Sequence, residues 1–325
     1  MSTTRRSKLS SLARRSSVAA VLVLAFSVYA AFAVQEIPHL GGMTLDDSTT
    51  LRFYGVDERG LPFILGETGP FPARPGSWVV VHDSLFVAVG STVFRHDRRV
   101  SDLPRLDSWS PGDEILALAD GPERGLVLVL DRRALTLVRF PDSGSPSALW
   151  SLAINSSGLS GPHGRLLLRN GNHAYVADPA LPGVRVISID SDAEPSNIVT
   201  YESNEGVVHD IALWGTGLAL LTENTVVIID IGTLHDPVFT RLGSYVTTHR
   251  ARAADTSSRY TYVADGADLL VLDNDPNVQN FLASPVAAWA APSEIRAIKL
   301  DRHGRAYVLL DNSWEILDLS AFGDR

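Results

Sequence analysis

Six tracts of this 325-residue chain share one pattern, in which two short apolar runs flank a tight polar turn and the second run usually ends at an aspartate. Apolar runs of this length bounded by turn residues are typical of strands, so each tract is predicted to be a β-hairpin. The tracts are Ser84–Asp97, Gly125–Phe140, His173–Asp190, Gly217–Asp230, Tyr260–Asp273 and Arg305–Asp318. With Arg139 as the second tract's counterpart of the aspartate, the markers Asp97, Arg139, Asp190, Asp230, Asp273 and Asp318 are 42, 51, 40, 43 and 45 residues apart.

A period in the low forties with several strands per unit predicts a β-propeller. The unit from Val207 to Val246 illustrates the four strands, with VVHDIALW as the inner strand, GLALLTE and TVVIIDI as the middle pair and PVFTRLGSYV as the outer strand. Both middle strands are apolar at nearly every position, as expected for strands buried on both faces between neighbouring blades. We predict an all-β chain of six four-stranded blades. Seven blades are the alternative, if an N-terminal hairpin forms a degenerate extra unit.

The last repeat has no outer strand after Asp318 in this sequence. We expect Leu61–Gly66 to supply it by pairing with Trp314–Asp318, which would close the ring and hide two exposed strand edges. Leu51–Val56 is the expected hairpin partner of that closing strand. These assignments predict a linker over residues 34–50, a propeller over residues 51–320 and a C-terminal tail over residues 321–325.

The first 33 residues have the pattern of a secretory signal peptide. Five basic residues and no acidic residue precede the uncharged run Ser16–Ala33. That run ends in Ala31-Phe32-Ala33, a small-x-small pattern that predicts cleavage before Val34. The alternative is a retained signal-anchor, although the run is slightly short for a bilayer core of about 30 Å. The predicted location is secreted, periplasmic or on the cell surface after cleavage, or anchored to a membrane if the leader is retained.

Composition narrows the classes of partner and chemistry. The chain has a formal net charge of −9, and removal of the five basic charges of the leader leaves −14, which disfavours nucleic acid and anionic lipid as partners. The chain contains no cysteine, so it has no disulfide, no thiolate nucleophile and no thiolate metal site. Short motifs of hydrolases and of zinc proteases are absent from the sequence.

Three central repeats resemble a known family. Ala174–Pro195 carries AYVAD followed by VRVISID, Leu218–Pro237 carries LALLTENTVVIID, and Thr261–Pro276 carries TYVADGADLLVLD, each with an acidic-Pro turn. In these features the chain resembles the LVIVP repeat of secreted and surface bacterial β-propellers. The resemblance implies a propeller fold outside the cytoplasm, and it implies no common activity and no catalytic residues.

Residues at the start of each inner strand are the candidate ligand site, because in a propeller they ring the mouth of the central channel. His209 and His249 occupy matching positions in adjacent repeats and are weak candidates for a metal site. The alternative is a hydrated mouth whose polar groups pair with one another. The candidates are Asp113, Glu114, His209, Asp210, His249, Arg250, Glu294 and Arg296, with Ser77, His163 and Arg165 at corresponding positions.

Two further sets of residues repeat along the chain. The marker aspartates end strands, where a carboxylate accepts backbone N–H bonds and sets a turn, and a calcium loop is the less favoured reading of these acidic turns. Trp109 and Trp289 each stand five residues before a glutamate. We expect these tryptophans to pack between blades rather than to form an exposed contact for sugar or protein.

The sequence favours a non-enzymatic binding or scaffold protein, a monomer without a cofactor, whose partner is an unknown protein, glycan or small molecule. One alternative is an enzyme that resembles the six-bladed, metal-dependent lactonases and uses the channel mouth. Several acids and an asparagine would then have to converge on one ion, whereas arginines are interspersed among the acids here. The other alternative is a membrane-anchored propeller that serves a surface complex.

Overall fold

The computed structural model describes residues 32–33, 42–46, 50–56, 62–72, 77–154, 167–178, 183–190, 193–233, 237–278, 281–300, 305–310 and 314–319. In these residues the protein is all-β, and no helix in this part of the chain is long and apolar enough to cross a membrane. The predicted leader lies outside the described residues except for the two-residue strand β1, Phe32–Ala33.

Six consecutive antiparallel sheets form the blades of a β-propeller, which confirms the predicted fold class. Blade 1 consists of β5 (Ser77–Val81), β6 (Ser84–Val89), β7 (Thr92–Asp97) and β8 (Arg105–Trp109). Blade 2 consists of β9 (Ile115–Asp120), β10 (Leu126–Asp131), β11 (Ala134–Arg139) and β12 (Ser147–Ala153). Blade 3 consists of β13 (Leu167–Asn170), β14 (His173–Asp178), β15 (Gly183–Ser188) and β16 (Ser196–Glu202).

The second half of the ring repeats this order. Blade 4 consists of β17 (Asp210–Trp214), β18 (Gly217–Leu221), β19 (Thr225–Gly232) and β20 (Pro237–Val246). Blade 5 consists of β21 (Ala251–Thr256), β22 (Tyr260–Asp265), β23 (Asp268–Asp273) and β24 (Ala287–Ala290). Blade 6 has three strands in the described residues, β25 (Ile295–Leu300), β26 (Arg305–Leu310) and β27 (Trp314–Asp318). Every predicted hairpin is therefore present.

The core lies between blades rather than inside one central cluster. One apolar cluster joins blades 1 and 2, a second joins blades 2, 3 and 4, a third joins blades 4 and 5, and a fourth joins blades 5 and 6. The middle strands contribute both of their faces, as Leu126–Leu130 shows, where every side chain is at most 1% exposed. Burial on both faces explains why these strands are continuous apolar runs.

Each inner strand contacts the inner strand of the next blade from β5 to β25, so the six blades follow one another around the ring. The short strand β1 pairs in parallel with β5 and also contacts β25, the inner strand of the last blade. It belongs to the predicted leader.

The six-bladed ring is confirmed, but the strand predicted to close it pairs elsewhere in the described residues. The strand β4 (Pro62–Thr68), which contains most of Leu61–Gly66, pairs with β3 (Thr50–Val56), and β27 pairs only with β26 in the described residues. The hairpin of these two N-terminal strands is confirmed, but β2 (Gly42–Asp46) adds a third strand inside the predicted linker. A local meander joins strands that are close in sequence, so it closes short loops at little cost in chain entropy.

The N-terminal sheet β2–β4 lies against the outer part of blade 1. Thr68 Oγ1 is 3.0 Å from Nδ1 of His96, and the rings of Phe71 and Phe94 are 5.7 Å apart. The approach is close, because a Cβ atom on Gly66 would lie 2.6 Å from the carbonyl oxygen of Ser101. Glycine at this position therefore lets β4 reach the loop between β7 and β8.

Candidate functional site

The acidic residues predicted at the mouth of blade 2 are paired within their own blade. Asp113 Oδ2 lies 2.8 Å from Nε of Arg133, and Glu114 forms an ion pair with Arg132. Both arginines belong to the turn between β10 and β11, next to the start of β9. Exposed ion pairs of this kind contribute about 0–1 kcal/mol to stability, so these pairs neutralise charge at the channel mouth but stabilise the fold little.

Glu294 joins blades 5 and 6. Its Oε1 atom lies 2.5 Å from Nε of Arg252 on β21, and its Oε2 atom lies 3.1 Å from Nη2 of Arg296 on β25. A carboxylate between two guanidinium groups is held by charge on both sides. The two predicted residues Glu294 and Arg296 are therefore brought together, and Arg252 is a member of this group that the sequence reasoning missed.

His209 is buried between blades 4 and 5. Its Nδ1 atom is 2.7 Å from the carbonyl oxygen of Leu221, and its Nε2 atom is 2.5 Å from the carbonyl oxygen of Ala251. Both ring nitrogens thus face backbone carbonyl oxygens, so neither is placed to coordinate an ion in the channel mouth. The buried ring therefore gives His209 a structural role. The position of His209 in the sequence repeat does not by itself reveal that role.

Asp210 is also buried and holds two neighbouring inner strands. Its Oδ1 atom accepts from the N–H of Ile211, and its Oδ2 atom accepts from the N–H of Ala254 on β21, each at 2.9 Å. Ser77 Oγ accepts in the same way from the N–H of Leu118 on β9, at 3.0 Å. An inner strand is the edge of its sheet, so half of its N–H groups lack a ladder partner and need such acceptors.

His249 and Arg250 are exposed, unlike His209 and Asp210 at the matching positions of the preceding repeat. The ring of His249 lies 3.1 Å from the place that a Cβ atom on Gly266 would take, against the turn of its own blade. His163 and Arg165 lie outside the described residues. Within the described ranges, no three His, Asp or Glu side chains converge in a way that could hold a metal ion.

A cleft that the sequence reasoning missed lies at the other end of blades 1 and 2, where the inner strands end. Its volume is about 770 Å³. The turn between β5 and β6 forms one side, and Gly125 and the segment after β11 form the other. His82 in that first turn has a φ of 51°, which is uncommon for a residue other than glycine. The cleft therefore lies between two blades.

Two aromatic rings are buried beneath the cleft. Phe86 and Phe140 are buried there, with ring centroids 4.8 Å apart in an edge-to-face arrangement. Arg95 donates from Nε and Nη2 to both oxygens of Asp107 on β8, at 3.1 and 2.6 Å. The same guanidinium donates to the carbonyl oxygens of Phe140 and Pro141 in blade 2, so it clamps the two blades together. Burial raises the pKa of Asp107 above its ordinary value, against the opposing effect of Arg95.

The rim of the cleft carries exposed charges of both signs. Asp97 is held by two hydrogen bonds from the Arg99 guanidinium and one from its backbone N–H, which lower the pKa of Asp97 to about 2. Arg124 lies 3.6 Å from Asp83 across the cleft, and both side chains are more than half exposed. Arg139 is exposed and forms no ion pair with another described residue. Glu123 and Asp142 complete the charged lining.

One feature of the sequence points to this cleft. Asp97 and Arg139 occupy the same marker position in adjacent repeats, and both line it. The change from aspartate to arginine at that position places a basic side chain opposite the acidic residues of blade 1. The clamp by Arg95 leaves no comparable signal, because its partners are a side chain twelve residues away and two backbone carbonyl groups.

The marker aspartates and the tryptophans behave as predicted where the structure describes their contacts. Asp230 accepts from the N–H of Gly232 at 2.9 Å, and Asp273 accepts from the N–H of Asp275 at 3.0 Å, so each carboxylate sets a turn. Trp109 and Trp289 are half-buried and pack against the clusters between blades 1 and 2 and between blades 5 and 6. Both lie in outer strands, β8 and β24.

Two solved structures superpose on this chain at low sequence identity, so the similarity is one of fold alone. The β-propeller domain of Cps50 (Swd1) from Myceliophteria thermophila superposes with a TM-score of 0.64 and 11% sequence identity, over 87% of this chain and 97% of that chain. The computationally designed Ika8 protein superposes with a TM-score of 0.61 and 11% identity, over 91% of this chain and 97% of its own. No protein-family model and no curated protein matches the sequence. The chain has a propeller fold.

Proposed function

We propose that this protein is a non-enzymatic binding propeller that acts outside the cytoplasm, and that the cleft between blades 1 and 2 binds a segment of a partner protein. One observation carries the proposal. At the rim of the open cleft, the exposed Arg139 pairs with no described residue, whereas Glu114 and Glu294 at the channel mouth form ion pairs with neighbouring arginines. The location rests on the predicted leader and on the resemblance to LVIVP-repeat propellers.

The chemistry of the cleft favours a polypeptide as its occupant. The rim does not present one sign of charge, because it carries both arginines and carboxylates. They are Arg99, Arg124 and Arg139 with Asp83, Glu123 and Asp142. A uniformly anionic polymer would meet the three acids, whereas a peptide can place an acid near the arginines and a base near the carboxylates.

The test is to select binders from a displayed library of random peptides and to measure their affinity by titration. We expect Arg139→Glu to weaken the selected peptides about tenfold or more, since a charge reversal in the rim repels the acid that the native arginine attracts. Arg250→Glu is the matched control, because Arg250 is an exposed arginine at the channel mouth. Peptides that lose affinity only with Arg250→Glu would move the site to the mouth and contradict the proposal. A library that yields no binder would contradict it as well.

The metal-dependent lactonase remains the alternative function, and it makes a different prediction. Such an enzyme needs a bound ion at the mouth, so purified protein would contain metal in stoichiometric amount, and a chelator would lower its melting temperature. We expect neither result, because the mouth acids are engaged with Arg132, Arg133, Arg252 and Arg296. Elemental analysis and thermal melts with and without chelator decide between the two functions.

A further inference from the structure

The outer strands of blades 1 to 4 share a β-bulge, in which one extra residue has no partner on the neighbouring strand of its blade. In blade 1, Arg95 pairs with Asp107 and His96 pairs with Arg105, so Leu106 is the extra residue of β8. A β-bulge changes the direction of the side chain that it carries. The extra residues of β8, β12, β16 and β20 are all aliphatic, namely Leu106, Leu149, Ile198 and Leu242.

Two of these leucines pack where blades meet. Leu149 and Leu242 are both half-buried. Leu149 packs against the apolar cluster that joins blades 2, 3 and 4, and Leu242 packs against the cluster that joins blades 4 and 5. An aliphatic side chain at this bulge is therefore suited to remove apolar surface from water between neighbouring blades.

Leu106 differs from these two leucines because it is open to solvent. It is 48% exposed, and it lines the cleft between blades 1 and 2. Trp109 of the same strand packs against the cluster that joins these two blades. The bulge is held in place, since the next residue, Asp107, accepts two hydrogen bonds from Arg95. The cleft thus presents an aliphatic side chain in a fixed position.

A basic side chain lines the same cleft. Arg139 is exposed and forms no ion pair with another described residue, whereas Arg99 lies 2.7 Å from Asp97. An apolar contact bordered by polar groups is the usual arrangement of a protein interface. A carboxylate of a partner would complement the charge of Arg139, and an apolar side chain of that partner would remove Leu106 from water.

We propose that Leu106 determines the specificity of the cleft, and that the bound segment places an aliphatic or aromatic side chain on Leu106 and an Asp or Glu carboxylate on Arg139. The inference rests on the function proposed above, and it narrows the partner to a polypeptide in which an apolar and an acidic residue lie close together. The charge of Arg139 attracts acidic segments in general, and the contact with Leu106 discriminates among them.

The experiment titrates the peptides selected on the wild-type chain against three variants. Leu106→Ser removes the apolar contact, so we expect it to weaken binding about tenfold or more. Leu106→Met keeps an apolar side chain of similar volume and should retain most of the affinity. Ile198→Ser is the matched control, because Ile198 occupies the bulge of blade 3 and is 37% exposed. It should leave the affinity unchanged. All three variants should keep the wild-type melting temperature, since both native side chains are exposed.

A double-mutant cycle then identifies the contact. Each apolar residue of a selected peptide is replaced by alanine, and binding to the wild type and to Leu106→Ser is compared. One replacement should weaken binding to the wild type about tenfold and have little further effect on Leu106→Ser, because that contact is already lost. Additive effects for every replacement would overturn the inference, and so would equal losses with Leu106→Ser and Ile198→Ser. Weaker binding with Arg139→Glu but not with Leu106→Ser would overturn this inference alone, whereas unchanged binding with both would also contradict the proposed function.

Discussion

His96 has a buried imidazole ring, and its surroundings favour the neutral form of that ring. It is 4% exposed, and its Nδ1 atom lies 2.8 Å from the carbonyl oxygen of Leu103 and so donates to it. Its Nε2 atom is buried and has no hydrogen-bond partner among the described residues. Burial lowers the pKa of His96 below its ordinary value, and the nearby charge of Arg105 adds to that effect.

This shift predicts a loss of stability in mild acid. The unfolded chain binds the proton more readily than the folded chain, so the contribution of His96 is complete above the ordinary histidine pKa of about 6.5 and declines as pH falls below it. We expect the melting temperature of the wild type to fall between about pH 7.5 and about pH 5, and His96→Gln to show a smaller fall. His249→Gln is the control, since His249 is exposed. Equal pH dependence in all three proteins would contradict the assignment.

Asp210 and Asp113 illustrate two roles for predicted mouth residues. Asp210→Ala removes the acceptor of two backbone N–H groups and leaves them unsatisfied in the interior, which we expect to cost about 2–4 kcal/mol. Asp113→Ala breaks an ion pair in which Arg133 is 84% exposed, and it should change stability by less than about 1 kcal/mol. Denaturant unfolding measures both. Similar losses for the two variants would mean that Asp210 does not bridge the inner strands.

Among the elements, the N-terminal sheet offers a graded test of its packing on blade 1. A chain that lacks residues 34–49 loses β2 and exposes an edge of β3. A chain that lacks residues 34–72 also loses Thr68 and Phe71, which cover His96 and Phe94. We expect the second truncation to lower the melting temperature much more and to increase light scattering, because it exposes aromatic surface. Equal melting temperatures for both truncations would show that the sheet does not support blade 1.

The strands that the sequence predicts best are those buried on both faces. All six hairpins follow from apolar runs and turn residues, and VVHDIALW, predicted as the inner strand of the fourth repeat, contains β17. The position of Leu61–Gly66 could not be predicted, since a strand with one open edge has the same composition whichever neighbour it pairs with. The three-stranded N-terminal meander depends on tertiary packing near Gly66 and His96, and the local sequence pattern carries no information about that packing.

The candidate site was only partly predictable for the same reason. Residue type and repeat position place Asp113, Glu114 and Glu294 at the channel mouth, but their arginine partners come from a turn and from neighbouring inner strands. His209 and His249 match in sequence and differ in burial, because a side chain's orientation depends on the facing blade. The cleft is made by two blades together, so no single repeat contains its pattern.

At the scale of the whole molecule, the leader gives a prediction that does not depend on the blades. The basic start, the apolar run and Ala31-Phe32-Ala33 together predict cleavage before Val34 on export. Intact mass of protein recovered from the extracytoplasmic fraction should correspond to a chain that begins at Val34. A chain that retains the first 33 residues and partitions with membranes would instead support the anchored alternative.

The bridges between inner strands join residues about one repeat apart, with separations of 41, 44 and 45 residues for Ser77 with Leu118, Asp210 with Ala254 and Asp255 with Leu300. Each of these bonds couples a blade to its neighbour. Energetic coupling should therefore decay along the chain as it does in a one-dimensional array. A destabilising substitution in blade 5 would leave the geometry between blades 1 and 2 almost unchanged. Two adjacent blades can thus diverge in sequence and acquire a cleft while the other blades of the ring keep the repeated structure.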